Sequence, residues 1–177
     1  MNSITDIKEL VQGKSRIDRD VIKFMKEADL DDLLNRSHFE KNKYVRIPLF
    51  KLDNVAVYMI CWGKGSRSPP HNHPKGGCIL RFLSGKVHET SFMVADDDQI
   101  KETKDTMLER GAVGIKFGDQ LHSMDTIEDA VSIHLYFPGD YCPKYYGERP
   151  QDCVCYVKDI LSNCVEDCDD CENDGLC

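Results

Sequence analysis

Residues 65–85 read GSRSPPHNHPKGGCILRFLSG, with His71 and His73 near the middle. The two prolines directly before them each remove a backbone donor and fix φ, so an extended segment is favoured over a helix. On an extended backbone, residues i and i+2 point to the same face, roughly 7 Å apart at Cα. Both imidazoles can therefore reach one ion that lies above this face.

The spacing around this pair is more specific than the pair alone. A lone His-x-His is weak evidence for a site, but here glycines stand on both sides of it, and a third histidine follows another glycine further along the chain. The two patterns are Gly65-x5-His71-x-His73-x4-Cys78-x6-Gly85 and Gly118-x3-His122. The three histidines are candidate ligands of a single metal ion.

The composition indicates one acidic domain. A chain of 177 residues is long enough to bury a full core without disulfides, and it carries 31 Asp and Glu against 23 Lys and Arg. This balance argues against nucleic acid or an anionic membrane as the main partner, since either requires a basic face. No apolar run approaches the roughly 18 residues of a spanning helix. The start, MNSITDIKELVQGKSR, does not resemble a signal peptide. We expect a cytoplasmic monomer with no nucleic-acid or membrane partner.

Nine cysteines are a high and odd number, and six of them fall within the last 25 residues. Without a signal peptide, reduced thiols are favoured over a disulfide framework. Residues 161–177 are acidic and poor in apolar residues, so we expect a flexible tail. A zinc site is the alternative, but the spacing of the tail cysteines matches no standard finger, and acidic neighbours raise the pKa of thiols. We favour disordered thiols or a redox appendage.

Helical periodicity marks the first 40 residues. Ile4, Ile7, Leu10 and Val11 recur at helical spacing, and a similar apolar stripe follows after a glycine. We predict that residues 1–40 form helices that pack on the outside of a sheet and carry no chemistry.

From residue 41 to about residue 160 the apolar period is two. Tyr44 and Arg46 share one face of a short strand, residues 54–62 form an apolar run typical of a strand buried on both sides, and residues 131–137 alternate cleanly. Further strands are predicted at 78–83, 86–94, 99–104 and 112–117, with one more around 154–160. Many short strands after a helical preface indicate an antiparallel sandwich or barrel.

The span from about residue 44 to residue 138 resembles the thiol dioxygenase branch of the cupins, and most closely the cysteine dioxygenase family. The first pattern matches the first cupin signature except that Cys78 stands where most cupins have a glutamate ligand, and this departure is itself typical of animal-type cysteine dioxygenases. The second pattern matches through Gly118 and His122, although Thr126 replaces the usual asparagine.

Two further segments carry the resemblance. Residues 132–138, SIHLYFP, resemble the family's Ser-x-His-x-Tyr-x-Pro segment, and Tyr44-x-Arg46 resembles its substrate-anchoring strand. The resemblance implies a mainly β fold, a cupin (jelly-roll) β-barrel with an N-terminal helical segment. It also implies an enzyme that uses Fe(II) and dioxygen to convert L-cysteine to cysteine sulfinic acid.

The resemblance implies roles for the residues that would hold the iron and the substrate. Iron would be bound by His71, His73 and His122. Arg46, assisted by Tyr44, would hold the carboxylate of L-cysteine, because a guanidinium offers a planar fork that stays charged when desolvated.

A second group of residues would support oxygen transfer. Tyr136 would hydrogen-bond dioxygen or the substrate carboxylate, and His134 and Ser132, on the same strand face, would orient its hydroxyl. Cys78 would become joined to Tyr136 by a thioether, a cofactor made from the protein's own side chains. The peptide bond before Pro138 would be cis.

Other interpretations stay open on the sequence alone. Three histidines are also consistent with a zinc site, or with imidazoles that form hydrogen bonds within a barrel wall and bind no metal. Arg46 is also consistent with a surface ion pair, and Cys78 with a small buried thiol. The substrate alternatives are 3-mercaptopropionate and cysteamine. Arg46 and Cys78 count against these alternatives: the mercaptopropionate enzymes lack this arginine at the matching place, and cysteamine has no carboxylate for it to bind. A cupin that binds a metal or ligand without turnover is the alternative from another class.

Overall fold

The computed structural model describes residues 3–95, 99–146 and the backbone of 154–155. It begins with two helices, α1 at Ser3–Val11 and α2 at Arg19–Glu27, and a 3-10 helix follows at Asp31–Arg36. Helix α2 starts where the side chain of Asp18 accepts a hydrogen bond from the Val21 amide, the usual N-cap arrangement. The predicted N-terminal helical segment is confirmed, with its helices between Ser3 and Arg36.

Eight strands follow in the described part of the chain, and they form one sheet of order β5-β4-β7-β2-β1-β8, with β3 paired to β7 and β6 paired to β4. The pairs are antiparallel except β1 with β8, which is parallel. The strands are β1 Tyr44–Leu52, β2 Val55–Trp62, β3 Arg67–His71, β4 Cys78–Val94, β5 Ile100–Glu109, β6 Val113–Lys116, β7 Leu121–Tyr136 and β8 Val154–Cys155. This is the mainly β, jelly-roll architecture predicted from the sequence.

Strands β4 and β7 are longer than predicted. The sequence indicated separate strands on either side of Gly85, but the chain passes through it as one strand, because Gly85 adopts a φ of +77° and absorbs a register shift in the pairing with β7. Strand β7 begins at Leu121, ten residues before the alternating segment at 131–137. The apolar residues of this first part recur every three positions, at Leu121, Met124, Ile127 and Ala130, so a search for period-two alternation does not detect the strand.

The sheet separates two layers of apolar side chains. On its outer face, Met59, Ile79 and Ile133 pack with the buried side of the helices, including Ile7 and Met25. A second cluster on the inner face is built around Ile60, Trp62, Leu80, Phe82 and Met124. Strand β2 is therefore buried on both faces, as its continuous apolar run predicted. Outward-facing residues of β2, β4 and β7 therefore pack against the helices, and inward-facing residues of β2 and β7 line the interior of the barrel.

The C-terminal predictions fall largely outside the described residues. The additional strand predicted around 154–160 is present at Val154–Cys155, where it pairs with β1. The Cys-rich segment at 161–177 lies outside the described residues. Within the ranges that are described, no helix has the length and apolar character needed to cross a membrane.

Candidate metal centre

Three histidines converge at one end of the barrel. His71 ends β3 and is the register partner of His122 on β7, while His73 lies just beyond β3. Their ring centroids are 4.5–5.1 Å apart, and one ligand atom from each lies within 4.8 Å of the other two. The structure thus brings together the three residues that the sequence patterns selected as ligands.

Each ring is held through its Nδ1 atom by an oxygen that can only accept. Because a carbonyl or carboxylate oxygen carries no hydrogen, the ring proton lies on Nδ1, and Nε2 keeps a free lone pair. The three contacts join His71 to the Pro69 carbonyl (2.8 Å), His73 to the Gln120 carbonyl (2.7 Å) and His122 to the Glu89 carboxylate (2.6 Å). The Nε2 atom of each ring is therefore able to donate its lone pair to one shared ion.

The arrangement of the free nitrogens fits a cation. The Nε2 atoms of His73 and His122 lie 3.1 Å apart, and neither carries a proton to share. Two nitrogens that each stand about 2.1 Å from one ion, at right angles, are about 3 Å apart. Burial lowers the pKa of His73 to about 2 and that of His71 to about 4, so both rings are neutral near pH 7. The trio could hold a divalent metal ion.

A cavity of about 60 Å³ opens beside the histidines, and Arg46 is its cationic side chain. The guanidinium carbon lies 4.7 Å from the Tyr58 ring centroid and 5.5 Å from that of Tyr136, close enough for cation–π contacts. Tyr44 also lines the cavity, with its ring 5.1 Å from that of Trp62. Arg46 and Tyr44 therefore face the cavity together, in agreement with their shared strand face.

A hydrogen-bonded row crosses the cavity wall. The Trp62 indole donates to Ser132 Oγ (2.8 Å), which lies 2.8 Å from His134 Nε2, and His134 Nδ1 lies 3.2 Å from the Tyr136 hydroxyl. The alternation of β7 predicted the last three members. Trp62 was missed, since its continuous apolar strand gave no sign of which face looks inward. Trp62 lies two and four residues after Ile60 and Tyr58, so the three share one strand face, and this spacing was the signal that could have identified it.

Cys78 and Tyr136 stand directly opposite each other in the β4–β7 pair. The thiol is within hydrogen-bonding reach of the phenol, and burial raises the pKa of Cys78 to about 12. Burial also holds the pKa of Tyr136 well above its usual value. Both groups are thus protonated near neutral pH. The peptide bond between Phe137 and Pro138, just after this pair, is cis, as the resemblance implied.

Thr126, which replaces the asparagine of the second cupin signature, forms hydrogen bonds between β7 and the residues before β3. Its hydroxyl lies 2.9 Å from Ser66 Oγ, both groups being buried, and its amide donates to the Ser66 carbonyl (2.9 Å). Its own carbonyl accepts from the Gly65 amide (3.0 Å). These contacts tie β7 to the turn that precedes β3.

The segment after β7 packs over the metal-binding strand, a feature that no sequence pattern indicated. The side chain of Asn72, between two of the histidines, accepts hydrogen bonds from the Tyr141 hydroxyl and from the Lys144 amide (2.7 Å for the latter). Tyr145 lines the cavity, and its ring centroid is 5.8 Å from that of His71. Asn72 therefore links the metal centre to one wall of the cavity mouth.

Comparisons with known proteins agree with this geometry. Residues 1–149 match the family described as "Cysteine dioxygenase type I". The cysteine dioxygenase type 1 of Rattus norvegicus is 35% identical over 88 residues, which cover 46% of this chain and 44% of the rat protein. That of Homo sapiens is 30% identical over 119 residues, covering 63% and 60% of the two chains. The chain thus spans about half the length of these curated relatives.

Solved structures support the fold independently. A Klebsiella pneumoniae protein with a double-stranded β-helix domain has a TM-score of 0.51 and 16% identity, and the match covers 69% of this chain and 100% of that one. A conserved protein of unknown function from Streptococcus pyogenes has a TM-score of 0.50 and 16% identity, with 72% and 98% covered. With the cupin architecture, the histidine trio and the family match all in agreement, this chain belongs to the cysteine dioxygenase type I family.

Proposed function

We propose that this protein is a thiol dioxygenase that uses Fe(II) and dioxygen to oxidise L-cysteine to L-cysteine sulfinic acid, with both oxygen atoms inserted at sulfur. The observation that carries the proposal is a cluster of three neutral, oriented imidazoles, two of which, His71 and His122, line a small cavity together with Arg46. Family membership and the names of the curated relatives support it.

In this proposal, His71, His73 and His122 hold the iron. The usual non-heme iron oxygenase site has two histidines and one carboxylate, so a site of three neutral imidazoles leaves the ion its full double charge. Iron(II) would supply open coordination positions for an anionic sulfur ligand and for dioxygen, and it would change oxidation state during the reaction. The chain's own contribution is to keep three Nε2 lone pairs aimed at one point.

Arg46 binds the substrate carboxylate. A guanidinium forms two parallel, charge-assisted hydrogen bonds with a carboxylate, and the rings of Tyr58 and Tyr136 hold it in place. The cavity that Arg46 lines has a volume of about 60 Å³, which favours a small ligand. Tyr44, on the same strand face, adds a hydroxyl near this end of the ligand.

Tyr136 supplies a second hydrogen-bond donor to the cavity, a neutral phenol. Its raised pKa keeps the phenol protonated, and His134 fixes the direction of the hydroxyl. Ser132 and Trp62 in turn hold the imidazole of His134, so the row restricts where the phenol can point. The donor would steady dioxygen or the substrate carboxylate while oxygen is transferred to sulfur.

We further propose that Cys78 and Tyr136 become joined by a thioether. The S–H bond of Cys78 and the C–H bond at a ring carbon next to the Tyr136 hydroxyl would break as the S–C bond forms, and the two protons and two electrons released would reduce one dioxygen to hydrogen peroxide. Their direct opposition in the β4–β7 pair supports the bond. Intact-mass analysis should show a loss of two hydrogens after turnover, absent in Cys78→Ala; an unchanged mass in active enzyme would refute the crosslink.

Several expectations from the sequence stay predictions. These are the division into helices at 1–40, a barrel at 41–160 and a tail at 161–177, the monomeric state and the cytoplasmic location.

The first experiment is dioxygen uptake by Fe(II)-loaded protein with L-cysteine, 3-mercaptopropionate and cysteamine measured side by side. We expect uptake with L-cysteine and a product heavier by two oxygen atoms. Preference for another thiol would keep the iron site and overturn the substrate assignment. No uptake with any thiol by protein that holds iron would favour a cupin that binds without turnover.

A further inference from the structure

A buried pair of opposite charges lies directly behind His122. Glu89 on β4 and Lys116 on β6 have side chains that are only 9% and 15% exposed, and Lys116 Nζ lies 3.2 Å from a Glu89 carboxylate oxygen. Burying a charge is unfavourable unless it is paired and hydrogen-bonded. The pair meets this requirement through contacts that lead to His122.

The contacts of the pair point to His122. The same carboxylate oxygen of Glu89 that meets Lys116 also accepts the Nδ1 proton of His122 at 2.6 Å, and His122 is 3% exposed. Lys116 Nζ has a further contact with Ser91 Oγ at 3.4 Å. Lysine, carboxylate and imidazole thus form one row that ends at the metal-facing Nε2 atom.

The contact with Glu89 also distinguishes His122 from the other two histidines. His71 and His73 are oriented by main-chain carbonyls, whose positions are set by the local backbone. His122 is oriented by the side chain of Glu89, which has rotatable bonds of its own and must itself be held. Lys116 provides that restraint and compensates the charge.

We propose that Glu89 is the positioning residue of the metal centre and that Lys116 keeps it in place. Glu89 holds His122 as the Nδ1–H tautomer and in the ring orientation that turns Nε2 toward the ion. This inference rests on the metal site of the proposed function, and it adds two residues that neither the cupin patterns nor the spacing of the histidines indicated. Loss of such a partner typically lowers metal affinity by about 10- to 100-fold.

The test combines ring ¹⁵N NMR of the metal-free protein with anaerobic titration by Fe(II) or Co(II). In the unmodified protein, His122 should show a protonated Nδ1 and a bare Nε2. Glu89→Gln keeps an acceptor oxygen, so this tautomer should persist and metal affinity should change by only a few-fold. Glu89→Ala should give mixed tautomers and an affinity lower by about 10- to 100-fold. Glu102→Gln, at an exposed position on β5, is the matched control and should change neither reading.

The outcomes separate this inference from the proposed function. A folded Glu89→Ala variant that binds metal as tightly as the unmodified protein would overturn the positioning role while leaving the metal centre intact. An Nε2-protonated His122 in the unmodified protein would also overturn it, whether or not any variant folds. If the unmodified protein binds neither ion, the metal centre itself is wrong, and the inference falls with it.

Discussion

Replacing Arg46 with glutamine removes the guanidinium that faces the cavity between the rings of Tyr58 and Tyr136. Glutamine has no charge and cannot form the two-pronged contact with a carboxylate. A hydrogen bond to a charged group contributes about 1.5–3 kcal/mol, so losing two of them weakens transition-state binding by at least about 3 kcal/mol. Since 1.4 kcal/mol is tenfold, kcat/KM for L-cysteine should fall by roughly 100-fold or more.

The assay compares L-cysteine with cysteamine, which has the same thiol and amine but no carboxylate. For cysteamine, Arg46→Gln should change kcat/KM by only a few-fold, so the preference for L-cysteine should collapse. Arg67→Gln is the matched control, because the Arg67 side chain is 78% exposed and pairs with Asp125 on the surface. This variant should retain the preference.

Two results would refute the carboxylate role. The first is an Arg46→Gln variant that loses activity equally toward both thiols, which would indicate general damage to the cavity. The second is a variant whose kcat/KM for L-cysteine stays within about threefold of the original. A thermal melt of each variant should accompany the kinetics, because the guanidinium also makes cation–π contacts worth about 0.5–2 kcal/mol.

Three further predictions test other parts of the structure. Because the pKa of Cys78 is about 12, only about one thiol in ten thousand is ionised at pH 8, so iodoacetamide should label exposed Cys142 but spare Cys78 in uncrosslinked, folded protein; rapid labelling at pH 8 would contradict this burial. Gly85→Ala should lower the free energy of unfolding by at least about 2 kcal/mol, since the new Cβ would collide with the backbone of β7, whereas Gly111→Ala, also at positive φ but with open space, should lose about 1 kcal/mol; equal losses in urea melts would disprove the steric argument. Asn72→Ala removes two hydrogen bonds worth about 1 kcal/mol each, so amide exchange in the segment after β7 should quicken roughly 30-fold by mass spectrometry, and unchanged exchange would show that Asn72 does not hold it.

Local periodicity was sufficient for two groups of site residues that lie close together along the chain. The i, i+2 spacing of His71 and His73 predicted a shared face, and the alternation Ser132, His134, Tyr136 predicted a polar row that the structure shows to be hydrogen-bonded. Side chains two apart on a strand share a face whatever the tertiary context.

Periodicity failed at Gly85 and at the start of β7. A glycine between two apolar runs is typical of a turn, but at Gly85 it permits a bend within one continuous strand. The first ten residues of β7 show no period-two alternation, because their apolar residues recur every three positions, although this part of the strand carries His122. His122 was identified only through its spacing to a glycine in a family pattern.

The sequence by itself determined the class of the fold, the three candidate metal ligands and the face on which Arg46 lies. Only the tertiary structure decided which side chains meet across strands. Glu89 behind His122, Trp62 beside Ser132 and Asn72 under the segment after β7 are separated from their partners by 33 to 72 residues. Such contacts depend on strand register and on the closure of the barrel, which no local spacing encodes.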